Sequence, residues 1–192
     1  MAPIYDCRDK SDEELAKLSL ELSDYFACLI RRYEEKLRRY LRRLSSWKDE
    51  DIDDVLQEVF ISAYRHLASF DSSLSFSAWI YRIAHNRLIS TWRKNQARPQ
   101  IDDLDDLAWE RIAADMEITE DIDRGLTKDR VAKIISLMKP DQAEILSLKF
   151  LEGRSYEEIS DIMRKPMGSV ASLMHHAKKS FKRLFEDNYQ YE

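Results

Sequence analysis

Apolar residues recur every three or four positions through the first half of the chain, which is the spacing of one buried helix face. Residues 12–44 carry such a stripe, preceded by Ser11, which with Glu14 matches a capping box at a helix N-terminus. This stretch predicts two helices or one broken helix. Further stripes predict a helix over about 50–68 and another over about 78–95.

The same periodicity returns in shorter segments in the last third of the chain. It predicts helices over 123–138 and 141–151 and a long helix over about 168–185. Between the last two, Ser155 and Glu158 form a second capping box that opens a short helix. A short helix, a tight turn and a longer helix with a basic C-terminal half predict a helix-turn-helix, whose second helix enters the DNA major groove.

Composition supports a purely helical protein. The 192 residues include only 3 glycines and 4 prolines, and 44% are hydrophobic, which excludes a disordered chain. Residues 96–123 are rich in Asp and Glu and poor in apolar residues, so they read as an acidic linker. The sequence therefore predicts an all-α fold of two small helical domains, with an N-terminal domain over 1–97, a linker over 98–122 and a C-terminal domain over 123–192.

The net charge of −5 argues weakly against a nucleic-acid partner. The distribution of charge points the other way, because basic residues concentrate in 31–43, in 82–98 and in 178–183, with the acidic linker between the last two. The sum therefore hides basic zones that suit DNA phosphates.

Cys7 and Cys28 lack the spacing of a metal site. We expect them to be free thiols in a reducing compartment, although the sequence leaves a disulfide open. No apolar run approaches the ~20 residues of a membrane helix, and the first residues lack the design of a signal peptide. We therefore expect a cytoplasmic protein with no membrane insertion.

Catalytic interpretations find little support. The four histidines form no metal-ligand pair, and no glycine-rich phosphate loop or nucleophile elbow is present. The carboxylates of Asp53, Asp54 and Glu58 have no cleft signature beside them. We expect no catalytic residues, no metal and no cofactor.

Four segments resemble a known family in sequence and in order. They are DIDDVLQEVFISAY (51–64), FSAWIYRIAHNRLISTWRK (76–94), EGRSYEEIS (152–160) and PMGSVASLMHHA (166–177). Together they resemble the extracytoplasmic-function (ECF) sigma factors of bacterial RNA polymerase. The resemblance implies that the first domain binds the polymerase and opens the downstream, minus-ten promoter element, and that the second reads the upstream, minus-thirty-five element.

The resemblance also implies functional residues in the first domain. The polymerase-docking residues would be Asp54, Gln57, Glu58 and Ile61. Opened DNA favours aromatic platforms, arginine planes and phosphate-binding charge, and the downstream-element residues would be Phe70, Trp79, Tyr81, Arg82, Asn86, Arg87, Arg93 and Lys94. By resemblance, the loop at Phe70 caps a base flipped out of the stack. For Trp79 and Tyr81, a role as core aromatics remains the alternative.

In the second domain, the expected upstream-element residues are Ser155, Ser169, Ala171, Ser172, His175, His176 and Lys179. The family usually has basic residues where this chain has Ala171, Leu173 and His176. Neutral histidine attracts phosphate less than arginine does, so we expect weaker upstream binding or an unusual upstream sequence.

The sequence thus predicts a non-enzymatic sigma factor. Its partners would be core RNA polymerase and promoter DNA, both as duplex and as melted single strand, with an anti-sigma factor as a further partner that the resemblance allows. Two alternatives stay open. One is a helix-turn-helix regulator that acts without polymerase docking, which would not need the Asp54 cluster. The other is a helical protein-interaction adaptor, which would not bind DNA.

Overall fold

The computed structural model describes residues 7–45, 47–95 and 128–189. Within these ranges the chain forms helices and short turns without a β-strand, which confirms the all-α prediction. The α-helices are α1 (Asp12–Glu21), α2 (Phe26–Leu44), α3 (Asp49–His66), α4 (Phe76–Asn95), α5 (Lys128–Leu137), α6 (Pro140–Leu146), α7 (Tyr156–Met163) and α8 (Met167–Tyr189).

The N-terminal helices α1–α4 pack around α2. The first predicted stretch is broken as expected, by a 3-10 turn over Ser23–Tyr25 that separates α1 from α2. The Ser11–Glu14 capping box is present, with the Glu14 amide donating to the Ser11 hydroxyl at 3.1 Å. The stripes of α2, α3 and α4 meet in one core, whose fully buried side chains include Tyr33, Leu37, Ile52 and Ile80.

The C-terminal helices α5–α8 contain the predicted helix-turn-helix. The helix expected over 141–151 is α6 followed by a π-helical turn, Ser147–Leu151. The second capping box opens α7, and Arg164 turns the chain out of α7 with a left-handed φ of 53°. Val170, Met174, Ala177 and Phe181 bury one face of α8.

The residues predicted to form the acidic linker, 98–122, lie outside the described residues, as do the boundaries at 97 and 123. That division of the chain stays a prediction. The two helix groups nevertheless touch directly, since α4 lies along α7 and α2 contacts α6. No pattern in the sequence predicted this contact.

Cys7 and Cys28 form a disulfide, so the expectation of free thiols was wrong. The segment before α1 runs beside α2, because Arg32 of α2 donates to the backbone oxygens of Cys7 and Lys10. This brings the two Cα atoms to 6.1 Å, within bonding range. The guanidinium of Arg31 lies 3.4 Å from both sulfur atoms.

Reduction of this disulfide is expected to lower the free energy of unfolding by up to about 3 kcal/mol, since the bond closes a loop between residues 21 apart and restricts the unfolded chain. Urea unfolding with and without dithiothreitol measures the effect. The double variant Cys7→Ala/Cys28→Ala is the control and should not respond to the reductant. Equal stability of the original chain in both conditions would contradict the cross-link.

Candidate functional site

The exposed face of α3 lies opposite the helix's buried stripe. Asp54, Gln57, Glu58 and Ile61, hereafter the α3 face, are all exposed, and Gln57 and Glu58 each lie three or four residues from both Asp54 and Ile61. Ile61 keeps 43% of its surface in solvent. The face combines an exposed apolar side chain with a polar surround, as protein-docking surfaces do.

Tyr64 extends this face by one turn, and the sequence reasoning missed it. Its side chain is 49% exposed, and its ring packs edge-on against Phe26 at 5.2 Å between centroids. The signal was present in the spacing, because Tyr64 follows Ile61 by three residues. The apolar part of the α3 face is therefore larger than predicted.

An ion pair links the α3 face to α4. The Arg87 guanidinium lies 3.0 Å from the Glu58 carboxylate, and both side chains are about half exposed. Exposed pairs of this kind contribute little to stability. Contacts with a partner can therefore replace this pair at a small cost in stability. The pair also places Glu58, an expected polymerase contact, beside Arg87, an expected DNA contact.

Three aromatic rings gather at the start of α4. Phe70, Phe76 and Trp79, hereafter the aromatic cluster, have centroid separations of 5.1 to 5.5 Å. Phe76 is fully buried, whereas Phe70 and Trp79 are half-buried. The two half-open rings rest on the closed one, so they form a supported platform on which an unstacked base can lie.

The loop beside this cluster is ordered by its own hydrogen bonds. The Asp71 carboxylate accepts from the Ser73 amide at 2.9 Å and from the Ser73 hydroxyl at 2.8 Å. These bonds, the amide bond first, lower the pKa of Asp71 below its usual value. Leu74 is 52% exposed in the same loop.

The other residues expected to touch downstream DNA are divided by the structure. Asn86 and Arg87 are exposed and Arg82 is half-buried. Tyr81 is buried against the C-terminal helices. Arg93 and Lys94 belong to α4, in the part whose side chains fall outside the description.

The expected upstream-element residues share the open side of α8. Ser169, Ala171, Ser172, His175, His176 and Lys179 are all exposed, while the stripe beginning at Val170 faces the core. The His175 and His176 rings stand 5.8 Å apart. Farther along α8, a groove of about 660 Å³ is lined by His176, Lys179, Lys182, Arg183 and Lys139 and also by the acidic residues Asp141 and Glu186. The sequence reasoning left out Lys139.

A buried polar interface joins the two helix groups. Tyr40 of α2 and His85 of α4 contact the Glu144 carboxylate at 2.5 and 2.6 Å. Arg43 of α2 and Tyr81 of α4 donate to the carboxylate of Glu152 at 2.7 and 2.5 Å. Burial raises the pKa of Tyr40 and the pKa of Tyr81 far above the usual range of tyrosine, and the neighbouring carboxylate is the second cause of this increase. Both phenols therefore remain neutral donors.

Ser155, an expected DNA contact, also has a structural role at the start of α7. Its hydroxyl accepts from the Glu158 amide at 3.1 Å, and its own amide donates to the Glu158 carboxylate at 3.0 Å. This is a complete capping box at the start of α7.

Replacement of Ser155 by alanine is expected to lower the free energy of unfolding by about 1 kcal/mol, because the first turn of α7 loses its cap. Ser155→Asp retains the capping oxygen and should keep nearly the original stability. Urea unfolding of the two variants measures the difference. If the alanine variant is as stable as the aspartate variant, the cap has no energetic role.

No helix in the described ranges is long and apolar enough to cross a membrane. Among those same residues, no three His, Cys, Asp or Glu side chains gather as metal ligands do.

Comparison with family models gives two matches. The model described as Sigma-70 region 2 matches residues 29–98, and the model described as Sigma-70, region 4 matches residues 128–181. The first match spans α2 to α4 and begins after α1, and the second contains the helix-turn-helix. The matched regions therefore include the α3 face, the aromatic cluster and the open side of α8.

Three curated proteins that are similar to this chain are ECF RNA polymerase sigma factors. The ECF RNA polymerase sigma-E factor of Escherichia coli strain K12 is 33% identical over 161 residues, which is 81% of this chain and 83% of that protein. The sigma-E factor of Haemophilus influenzae is 31% identical over 80% of this chain and 84% of its own length. The ECF sigma factor SigW of Bacillus subtilis is 29% identical over 85% of this chain and 90% of its own length.

Solved structures share the fold. CnrH, determined in complex with the cytosolic domain of CnrY, has a TM-score of 0.67 and 22% identity, covering 93% of this chain and 99% of CnrH. The sigma factor RpoE of Bartonella quintana, determined with the anti-sigma factor NepR, has a TM-score of 0.59 and 19% identity over 85% of this chain and 98% of its own. At these identities the likeness concerns the fold.

Proposed function

We propose that this chain, which belongs to the ECF RNA polymerase sigma factors, binds core RNA polymerase, directs the enzyme to specific promoters and assists promoter melting. The observation that carries the proposal is the presence in one chain of an exposed α3 face, an aromatic cluster and a helix-turn-helix. A duplex-binding regulator needs only the last of these.

Each surface receives a role. The α3 face docks on the polymerase. The aromatic cluster, with the exposed side of α4 at Asn86, binds the melted minus-ten strand, because an amide can read a base edge and open rings can stack on a base. The open side of α8 reads the minus-thirty-five duplex from the major groove. This assignment also proposes an N-terminal domain over 1–97, a linker over 98–122 and a C-terminal domain over 123–192.

The remaining parts of the proposal follow from the family. Sigma factors are specificity subunits, so the chain itself performs no catalysis, and it works in the cytoplasm, where the polymerase is. An anti-sigma factor is a further proposed partner, supported by the structure of Bartonella quintana RpoE bound to the anti-sigma factor NepR. The cytoplasm contains thiol reductants, which act to reduce the Cys7–Cys28 disulfide.

In vitro transcription tests the proposed function. The purified chain is combined with core RNA polymerase on a library of promoters, and the RNA products are sequenced. We expect transcripts that start at a defined set of positions and depend on the chain. Transcripts identical to those of core polymerase alone would overturn the proposal.

A further inference from the structure

The Cys7–Cys28 disulfide lies in a chain whose proposed function places it among cytoplasmic thiol reductants. Disulfides in reducing compartments are usually transient, and most of them act in catalysis or in redox sensing. A disulfide in such a place is therefore either a fixed cross-link that resists reduction or a bond that opens and closes. The surroundings of the two sulfur atoms distinguish these cases.

A cation beside both sulfur atoms favours reversible oxidation. The Nη2 atom of Arg31 lies 3.4 Å from the sulfur of Cys7 and 3.4 Å from that of Cys28. A guanidinium beside a thiol favours the thiolate, which is the form that reacts with oxidants. Cys7 is half-buried and can be reached from solvent, whereas Cys28 keeps only 1% of its surface exposed. Cys7 is therefore the residue that meets an oxidant, and Cys28 is the residue that closes the bond.

Contacts of Arg32 keep the two cysteines close whether or not they are bonded. Its guanidinium donates to the backbone oxygen of Cys7, to that of Lys10 at 2.8 Å and to the Asp12 carboxylate at 2.5 Å. These hydrogen bonds involve no sulfur atom, so they remain available after reduction. Two thiols held near each other in this way react as an intramolecular pair, which allows the bond to form again after each reduction.

The same segment leads into α1, whose first turn supports the aromatic cluster. The Glu13 carboxylate accepts from the Phe76 amide at 2.9 Å, so α1 satisfies one of the amides that a helix leaves unpaired at its start, here in α4. Asp12 accepts from the hydroxyl of Tyr33, whose ring packs edge-on against Phe76 at 5.6 Å between centroids. Phe76 is the closed ring on which the two half-open rings of the cluster rest. The position of α1 therefore affects the base-binding platform.

From these contacts we propose that Cys7 and Cys28 form a reversible redox site that controls the support of the aromatic cluster. Oxidation ties the segment before α1 to α2 and holds the first turn of α1 against the start of α4. Reduction removes this tie, so the Glu13–Phe76 hydrogen bond opens more often and the platform is less well ordered before a base arrives. The consequence rests on the proposed function: the oxidised chain melts promoters more readily than the reduced chain.

The oxidation step balances with a peroxide as the oxidant. The Cys7 thiolate attacks one oxygen of hydrogen peroxide, so an S–O bond forms, the O–O bond breaks and hydroxide leaves to become water. The Cys28 thiolate then attacks the sulfur of the Cys7 sulfenic acid, which forms the S–S bond, breaks the S–O bond and releases a second water. The two thiols lose two electrons to one peroxide, and their protons end in the two waters. Two molecules of a small cytoplasmic thiol reverse the change by thiol–disulfide exchange and become a disulfide themselves.

The first test uses the chain without polymerase. It is treated with hydrogen peroxide or with dithiothreitol, and the reagent is then removed. Mass spectrometry after alkylation of free thiols detects the disulfide, and amide hydrogen exchange reports the Phe76 hydrogen bond. We expect the Cys7–Cys28 disulfide after peroxide, free thiols after dithiothreitol, and Phe76 exchange at least about fivefold slower in the oxidised chain. The control Cys7→Ala/Cys28→Ala should exchange at one rate after either treatment. Failure of peroxide to form the disulfide, or equal Phe76 exchange in the two redox states, would overturn the proposal.

Promoter melting tests the consequence. Holoenzyme is assembled from oxidised or reduced chain, and permanganate footprinting measures the melted strand. We expect the oxidised chain to melt promoters at least about twofold more than the reduced chain. Glu13→Ala should form the disulfide but melt equally in both redox states, because the link from α1 to α4 is lost. Glu13→Gln keeps an acceptor for the Phe76 amide and should retain the redox response. Equal melting by the original chain in both states, or a redox response that persists in Glu13→Ala, contradicts the coupling.

The redox site and the proposed function fail in different ways. An absence of promoter-specific RNA would refute the proposed function. The disulfide and the Phe76 exchange are measured without polymerase, so they support or refute the redox site whether or not RNA is made.

Discussion

Substitution of Glu58 by lysine is expected to weaken binding to core RNA polymerase by at least about tenfold, with no loss of helix content. Glu58 is exposed at the centre of the α3 face, opposite the buried stripe, so the fold does not depend on it. Close charged pairs across an interface can have coupling energies of about 1.5 kcal/mol or more, and reversal adds repulsion to the lost attraction. In the Glu58→Lys variant, Arg87 stands beside a positive charge instead of a carboxylate.

Equilibrium titration of labelled chain with core polymerase measures this change. Glu58→Gln removes the charge without reversing it and should give an intermediate affinity. Glu21→Lys, an exposed acidic residue at the end of α1, makes the same reversal away from the α3 face and should bind normally. If Glu58→Lys binds as tightly as Glu21→Lys, the α3 face is ordinary solvated surface.

The parts of the fold that sequence could predict are those set by local spacing. Three features each depend on residues within one or two helical turns of each other, so they can be recognised in the sequence. They are the apolar stripe of α8, the two capping boxes and the break between α1 and α2. The π-helical turn at Ser147–Leu151 escaped prediction, since its apolar spacing resembles that of an α-helix.

The contact between the helix groups could not be predicted in this way. Tyr40 and Glu144 are 104 positions apart, and Arg43 and Glu152 are 109 apart. From the sequence alone, charged residues within a basic helix are expected to be exposed to solvent, because burial of a charge is costly unless a partner is present. The partner here is supplied only by the tertiary fold. The same reason explains the disulfide, whose pairing depends on where the segment before α1 lies.

For Tyr81, the sequence motif and the structure point to different roles. The motif places it among the residues that contact DNA, and the structure buries it against Glu152. Asn86, five residues later on α4, is exposed. Of the two residues, only Asn86 is accessible to DNA in this structure, and the burial of Tyr81 agrees with the alternative role of a core aromatic.

The aromatic cluster supports the second large prediction. Substitution of Phe70 by alanine is expected to reduce promoter melting by about 5- to 150-fold, because stacking of a base on an aromatic ring is worth ~1–3 kcal/mol. The Phe70 ring is half-buried and rests on Phe76 and Trp79, so it is held in position before any base arrives. A preformed platform matters most for a base that must first leave the duplex, which itself costs a few kcal/mol.

Permanganate footprinting of the melted strand and binding of the holoenzyme to a single-stranded minus-ten oligonucleotide measure this effect. Phe70→Leu keeps the apolar bulk against Phe76 but removes the planar face, so it should lose melting almost as fully as Phe70→Ala. Leu20→Ala changes an exposed leucine on α1, outside this loop and the aromatic cluster, and is the control that should melt promoters normally. Core-polymerase affinity should stay unchanged in all three variants, since the α3 face is intact. Normal melting by Phe70→Leu would show that bulk in the loop, not ring stacking, holds the base.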